Sequence, residues 1–260
     1  MQTKSLVVIG GTGFLGRDLL KYGLNYYKNV TAISRSKPKF SAWWLNKVHF
    51  TLTPLQDLFT TINNAVETPR PKNQDILNAD TVIYSVGTLF ASSLYKDVLN
   101  EQDISLVPKW LRQEVQFQTN GAPLYDTLHY QYPIQLFNAF KENCTKNNPY
   151  FVYVSAHAHL NDDLPYIKTK RLAEDFLLGQ SHKTVSDKDI KVLVIRPGLM
   201  YNEDRPVSMF AGAFNQALSC SPLGVAAPLR TSQVAEAVYT AIQQEQSGIL
   251  EVGHLQELSK

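Results

Sequence analysis

Cysteine is nearly absent: Cys144 and Cys220 are the only two in 260 residues. That scarcity excludes a disulfide framework and a paired-cysteine zinc site, and it favours a reducing compartment. Long apolar runs are missing as well. The longest apolar-leaning stretch, Met209 to Leu229, is broken by Asn215, Gln216, Pro222 and Pro228, whereas a bilayer span needs about 20 apolar residues. It reads as part of a small lobe, with peripheral membrane contact left open. An excess of one charge is lacking too. The formal net charge is +2, too small to argue for a nucleic-acid partner, and the densest basic cluster, Arg35, Lys37 and Lys39, suits a local anion pocket. An ordinary cleaved secretory signal is not expected, because the first strand begins about five residues into the chain. Import by an internal or uncleaved signal stays compatible with this. What remains is a hydrophobic fraction of 44% and a charged fraction of 18%, ordinary for one folded α/β domain with enough chain for a sizeable core.

The beginning of the chain carries the strongest signal. Leu6-Val-Val-Ile9 reads as a buried parallel strand, glycines follow at Gly10, Gly13 and Gly16, and a helix-like run extends from Phe14 to Tyr27. Strand, glycine turn and helix in that order form a cradle for a dinucleotide pyrophosphate. Gly10 permits the tight turn, Gly13 lets phosphate approach the backbone, and Gly16 lets helix and strand pack closely. The flanking elements lift this above a chance glycine triplet.

Beyond the turn, strands and helices alternate as a doubly wound sheet requires. Strands are expected at Val30–Ser34, Val48–Leu52, Thr81–Val86, Tyr150–Ser155 and Lys191–Arg196, and a helix at Leu58–Val66. Thr88 to Pro149 is less regular, although Leu128 to Lys146 looks helical despite Pro133. A last helix starts at Thr231 or Ser232, either a good N-cap, with Val234, Val238, Ala241 and Ile242 at helical spacing. The expected architecture is a Rossmann-type doubly wound parallel sheet over residues 1–260, with a small C-terminal lobe within about 199–230.

Cofactor preference is written at the end of the second strand. A carboxylate there binds the ribose hydroxyls of NAD, and a basic residue accommodates the 2′-phosphate of NADP. The residues present are Ser34-Arg35-Ser36, with no carboxylate nearby. Arg35 offers a charge-assisted fork to phosphate, so NADP(H) is expected over NAD(H). Arg17 is a second cation within reach of that group.

For chemistry, Ser155 follows the fifth strand, and Tyr166 and Lys170 lie eleven and fifteen residues later. Four residues apart, Tyr166 and Lys170 share one helix face. A free phenol has a pKa of about 10, and a neighbouring ammonium favours the phenolate. Tyr166 would pass a proton while a nicotinamide passes a hydride, with Ser155 bonded to the substrate oxygen.

Together the glycine turn, Ser85-Val-Gly87, Ser155, Tyr166 with Lys170, and Arg196-Pro-Gly198 resemble the extended, atypical short-chain dehydrogenases/reductases. The resemblance runs from about Leu6 to Val252. Gly11-Thr-Gly-Phe-Leu-Gly16, Val154-Ser-Ala156, Tyr166 to Glu174 and Val194 to Tyr201 look most like a fungal mitochondrial branch. That branch is implicated in coenzyme Q biosynthesis and is similar to the nucleotide-binding accessory subunit of respiratory complex I. The resemblance implies that Gly10, Thr12, Gly13, Phe14 and Leu15 line the pyrophosphate. It places Ser34, Arg35 and Ser36 at the 2′-phosphate, and Ser85, Val86 and Gly87 along the nicotinamide ribose. Lys170 would bond that ribose, and Pro197 with Gly198 would abut the carboxamide. It further implies a location on the matrix side of the mitochondrial inner membrane, a quinone precursor as substrate and a biosynthetic complex as partner. Two positions depart from the family pattern: Pro54 stands where relatives carry an adenine-contacting Asp, and His129 where they carry a relay Asn.

Other residues leave alternatives open. His157 and His159 have no evident third metal ligand, and no metal is expected. Cys144 reads as a bystander thiol. Trp43, Trp44 and Trp110 read as a stacking surface for an aromatic or isoprenoid ligand, and Trp43 and Trp44 equally as cover for the sheet edge. On the same scaffold, a binding subunit without turnover, or a nucleoside-sugar epimerase or flavonoid-type reductase, are the competing functions.

Overall fold

The computed structural model describes residues 4–39, 41–58, 74–87, 122–157, 165–181, 189–202 and 227–260. Short apolar runs build its centre. Strands β1 (Ser5–Ile9), β2 (Asn29–Ser34), β3 (His49–Leu52), β4 (Thr81–Tyr84), β5 (Tyr150–Val154), β6 (Lys191–Ile195) and β9 (Gly248–Leu250) form one seven-stranded sheet. The order is β3-β2-β1-β4-β5-β6-β9, and every pairing is parallel. Alternation along β1 sends Leu6 and Val8 into one apolar layer and Val7 and Ile9 into the other. A sheet covered on both faces explains why its central strands read as unbroken hydrophobic runs.

Helices α1 (Gly16–Gly23), α6 (Thr231–Gln243) and α7 (Val252–Leu258) supply the first layer, and α4 (Tyr132–Asn143) and α5 (Pro165–Ser181) the second. Tyr239 of α6 donates its phenol proton to Leu19 O of α1, which fastens these two helices together. Short helices α2 (Gln74–Leu77) and α3 (Ala122–Tyr125) complete the set, and a two-stranded parallel ribbon pairs β7 (Met200–Tyr201) with β8 (Leu229–Arg230). No helix among the described residues is long and apolar enough to cross a membrane.

Several boundaries differ from expectation. Helix α1 is shorter than Phe14–Tyr27, because Phe14 and Leu15 belong to the turn and residues 24–27 continue only as single turns. Strand β4 ends at Tyr84: Ser85 still donates its N–H to Ile9 O at 2.9 Å, and Ser85 and Val86 then pack on Gly10. The N-cap of α6 is Arg230, whose N–H donates to Gln233 Oε1 at 3.0 Å. Thr231 instead accepts from Asn202 Nδ2 at 2.9 Å, tying the helix to the β7 strand. The expected helix over 128–146 begins earlier, in α3, and passes through a π-helical turn, Asp126–Gln131, before α4. Pro133 has no N–H to offer the carbonyls one turn back. Tyr153 and Tyr84 fill that gap, donating to His129 O and Leu128 O at 2.7 Å each. Most of the expected 58–66 helix, the segment 88–121 and nearly all of Met209 to Leu229 lie outside the described residues. So do Trp110, His159 and Cys220.

Candidate functional site

Strand order reverses between β1 and β4, and ligands of open α/β sheets bind at such a switch point, beyond the carboxyl ends of the strands. The glycine turn lies there. Gly10 has φ +84°, and its N–H donates to Ile33 O at 2.8 Å. A Cβ on Gly10 would come within 2.7 Å of Ser85 O, and one on Gly16 within 2.2 Å of Gly10 O. These clashes mean that only glycine allows the turn to fold back on itself against Ser85. Gly13 is exposed, and its N–H donates to Gly10 O at 2.9 Å. Such a tight, open-topped cradle at a helix start fits a pyrophosphate.

The residues expected at a 2′-phosphate divide into two groups. Ser34 is buried and accepts from Thr12 N–H at 3.1 Å, so it holds the glycine turn in place. Arg35 and Ser36 are exposed beyond the end of β2, where a dinucleotide's adenosine end would lie. Arg17 is buried in the first turn of α1. Pro54 is exposed, and its carbonyl accepts from Leu58 N–H.

Across the crevice, α5 presents Tyr166 and Lys170 one turn apart. Lys170 is 1% exposed and donates to Val154 O at 2.8 Å, with its Nζ 5.3 Å from the Tyr166 ring centre. The same Nζ would be 3.8 Å from a Cβ on Gly87, so the lysine reaches the β4 wall. Burial pulls the Lys170 pKa down to about 7; Glu174 opposes that pull and Arg171 adds to it.

His129 completes this cluster from the π-helical turn. Its ring stacks on Tyr125 at 5.5 Å and meets Tyr166 edge-on at 5.0 Å. Extra-residue turns of this kind occur often at functional sites because they re-aim a side chain. Burial, with help from the Lys170 charge, lowers the His129 pKa to about 2, so the imidazole is neutral. The unfolded chain therefore binds more protons than the native one between about pH 2 and 6.5, and stability at this residue rises with pH over that window. His129→Asn, which cannot titrate, is expected to flatten the acid limb of stability measured by urea unfolding between pH 4 and 6.5. An unchanged slope would mean that His129 is protonated in the native state.

The Ser155 hydroxyl is engaged within the protein. Its hydroxyl donates to Glu174 and accepts from Arg171 Nη1 at 3.4 Å. A hydroxyl has a single proton to donate, so Ser155 has none left for a substrate oxygen in this conformation. Glu174, 1% exposed, also accepts from Arg171 Nη1 at 2.5 Å and from Arg196 Nε at 3.0 Å. Arg196 reaches on to Glu251 at 2.6 Å, and Glu251 pairs with His157 at 3.3 Å. This chain of charges joins the carboxyl ends of β5, β6 and β9. Pro197, buried, accepts from His157 N–H at 2.9 Å, and Gly198 follows it out of β6. The sequence reading missed the cluster, although Glu174 repeats the four-residue spacing of Tyr166 and Lys170. Cys144 is buried beside Ala79. No group of three metal-ligating side chains occurs among the described residues.

Solved structures similar to this chain share its fold. A short-chain dehydrogenase from Burkholderia cenocepacia J2315 in complex with NADP superposes with a TM-score of 0.58 at 16% identity, covering 99% of this chain and 91% of that one. A short-chain dehydrogenase/reductase from Saccharomyces cerevisiae gives 0.58 at 14%, with 98% and 99% covered. The fold is that of the short-chain dehydrogenases/reductases. MoeE5 in complex with UDP-glucuronic acid and NAD gives 0.57 at 16% identity, over 95% and 76% of the two chains. No family model matches the sequence. Among curated proteins, MIOREX complex component 2 of Saccharomyces cerevisiae is 26% identical over 227 residues, 77% of this chain and 74% of that protein.

Proposed function

We propose that this chain binds NADP(H) in the crevice between the glycine turn and Ser85–Gly87 and is an oxidoreductase of the short-chain dehydrogenase/reductase type. The observation that carries the reading is the glycine cradle and the Tyr166–Lys170 pair on two walls of one switch point. Two solved structures with this fold hold NADP or NAD, and Arg35 is the exposed cation that favours the phosphorylated form. When bound, the nicotinamide supplies hydride exchange. The residues of the chain supply the rest: Tyr166 exchanges the proton, Lys170 holds it close to the phenolate state, and Ser155, once turned from Glu174, bonds the substrate oxygen. Following the resemblance, we assign the substrate to the quinone precursors of coenzyme Q biosynthesis and the location to the matrix side of the mitochondrial inner membrane. The name of the yeast relative places that protein in a complex, which supports a complex as partner here.

A second reading is a nucleotide-binding subunit without turnover. One observation favours it: the Ser155 proton is committed to Glu174.

Thermal unfolding midpoints with NADPH, NADP, NADH and NAD in turn test the cofactor. A ligand that binds only the folded state stabilises by about 2.7 kcal/mol at a hundred times its Kd. The expected result is a shift specific to the phosphorylated dinucleotides. Arg35→Asp then weakens NADPH by roughly tenfold or more, the worth of a charge-assisted hydrogen bond, and leaves NADH nearly unchanged. Equal loss for both, or none, removes the NADP assignment.

A further inference from the structure

The opposite end of the sheet holds a second concave feature. An open groove of about 580 Å³ is lined by Lys21, Tyr22, Tyr27, Lys28, Trp43 and Lys47, among others. Its lining carries three cations and no carboxylate. Among the described residues none of the three lysines is paired with an acid. The carboxylates that bear on Tyr22, Asp18 and Glu236, are not part of the lining.

The two adjacent tryptophans behave differently. Trp44 is buried in the core and covers the sheet, as one of the two sequence readings expects. Trp43 is 74% exposed at the rim of the groove, with Lys47 Nζ 4.9 Å from its ring centre. A solvent-facing indole held by a cation is a poor contributor to core packing and a good stacking surface. The wall behind it is firm, because Tyr27 is buried and its phenol is hydrogen-bonded to Thr81 at 2.8 Å.

The geometry points to a second nucleotide site, one that takes a free nucleoside mono- or diphosphate, its base on Trp43 and its phosphates on Lys21, Lys28 and Lys47. Two features select this ligand. Concavity on this scale suits a small molecule more than a flat bilayer. Three local cations on a chain of net charge +2 match a small polyanion better than the long charged track of a nucleic acid. The site is separate from the dinucleotide crevice. Strand β2 starts at Asn29, directly after Lys28, and ends at Ser34 beside the glycine turn; six residues of strand span about 20 Å.

The test uses the full chain saturated with NADPH, so that the crevice is filled. CMP, UDP and ADP are titrated by calorimetry, alongside a single-stranded RNA decamer and anionic phospholipid vesicles. The expected result is saturable nucleotide binding that NADPH does not displace. Trp43→Ala then weakens it tenfold or more, and Lys21→Gln with Lys28→Gln weakens it several-fold. Both variants are expected to keep wild-type unfolding midpoints and wild-type NADPH affinity, because all three side chains are exposed. Nucleotide binding that disappears under NADPH, or survives Trp43→Ala unchanged, overturns the proposal. Failure of every nucleotide to bind at millimolar concentration overturns it too. RNA or vesicles that bind more than tenfold tighter than any mononucleotide overturn it as well.

Discussion

Glu174→Ala is expected to lower unfolding stability by about 3–5 kcal/mol, the cost of breaking a buried ion pair by removing one partner. The magnitude follows from what is left behind. Among the described residues Arg171 loses its carboxylate and keeps Ser155 and the Ala156 carbonyl, while Arg196 retains Glu251. For a chain of this length, such a loss moves the thermal midpoint by roughly 6–20 °C. Glu174→Gln keeps the shape and some hydrogen bonds, so it falls between alanine and wild type. Replacing Arg171, Glu174 and Arg196 together by apolar residues of similar volume costs less than the single alanine, since the carboxylate that then loses Arg196, Glu251, is partly exposed and keeps His157. Urea unfolding of the three variants checks the order. A Glu174→Ala change under about 1 kcal/mol would show that the cluster is solvated like a surface pair.

The second large effect falls on chemistry. Tyr166→Phe removes one oxygen and keeps the ring that packs against Tyr125 and His129. Fold and dinucleotide affinity are therefore expected to stay close to wild type. Complementation of a strain lacking the gene, read as coenzyme Q content, is expected to fall to the level of the empty vector. A proton-transfer group contributes typically 10²–10⁴-fold to rate, enough to extinguish flux. Full complementation by Tyr166→Phe together with tight NADPH binding would move the protein to the reading without turnover. Failure to bind NADPH would defeat both readings at once, so the two results are separable.

Much of this arrangement is legible in the chain itself. The β1 run and glycines at Gly10, Gly13 and Gly16 specify strand, turn and helix locally, and each interaction they need lies within a few residues or on the next strand. Tyr166 and Lys170 are legible for the same reason: helical spacing alone puts them on one face. Contacts made across long separations are not. Arg196 meets Glu174 across 22 positions and Glu251 across 55, and no periodicity encodes such a meeting. Ser34 is read beside Arg35 as support for a phosphate, and its contact with Thr12 N–H, which burial at the end of β2 brings about, has no signature in the sequence. The π-helical turn leaves one trace, Pro133, whose missing N–H is answered by tyrosines on two separate strands. Strand β9 has only three residues, starting from a glycine at φ +95°, too few to show a pattern.

The dependence of Arg196 on Glu251 also sets an order of assembly during synthesis. A nascent chain can close the glycine turn against Ser85 once β1, β2 and β4 have left the ribosome. Its second carboxylate for Arg196 comes only with the residue after β9. The glycine-turn half of the crevice can thus form well before the opposite wall is complete, and a chain released before Glu251 would keep the Arg196–Glu174 contact while lacking the link from β6 to the end of β9.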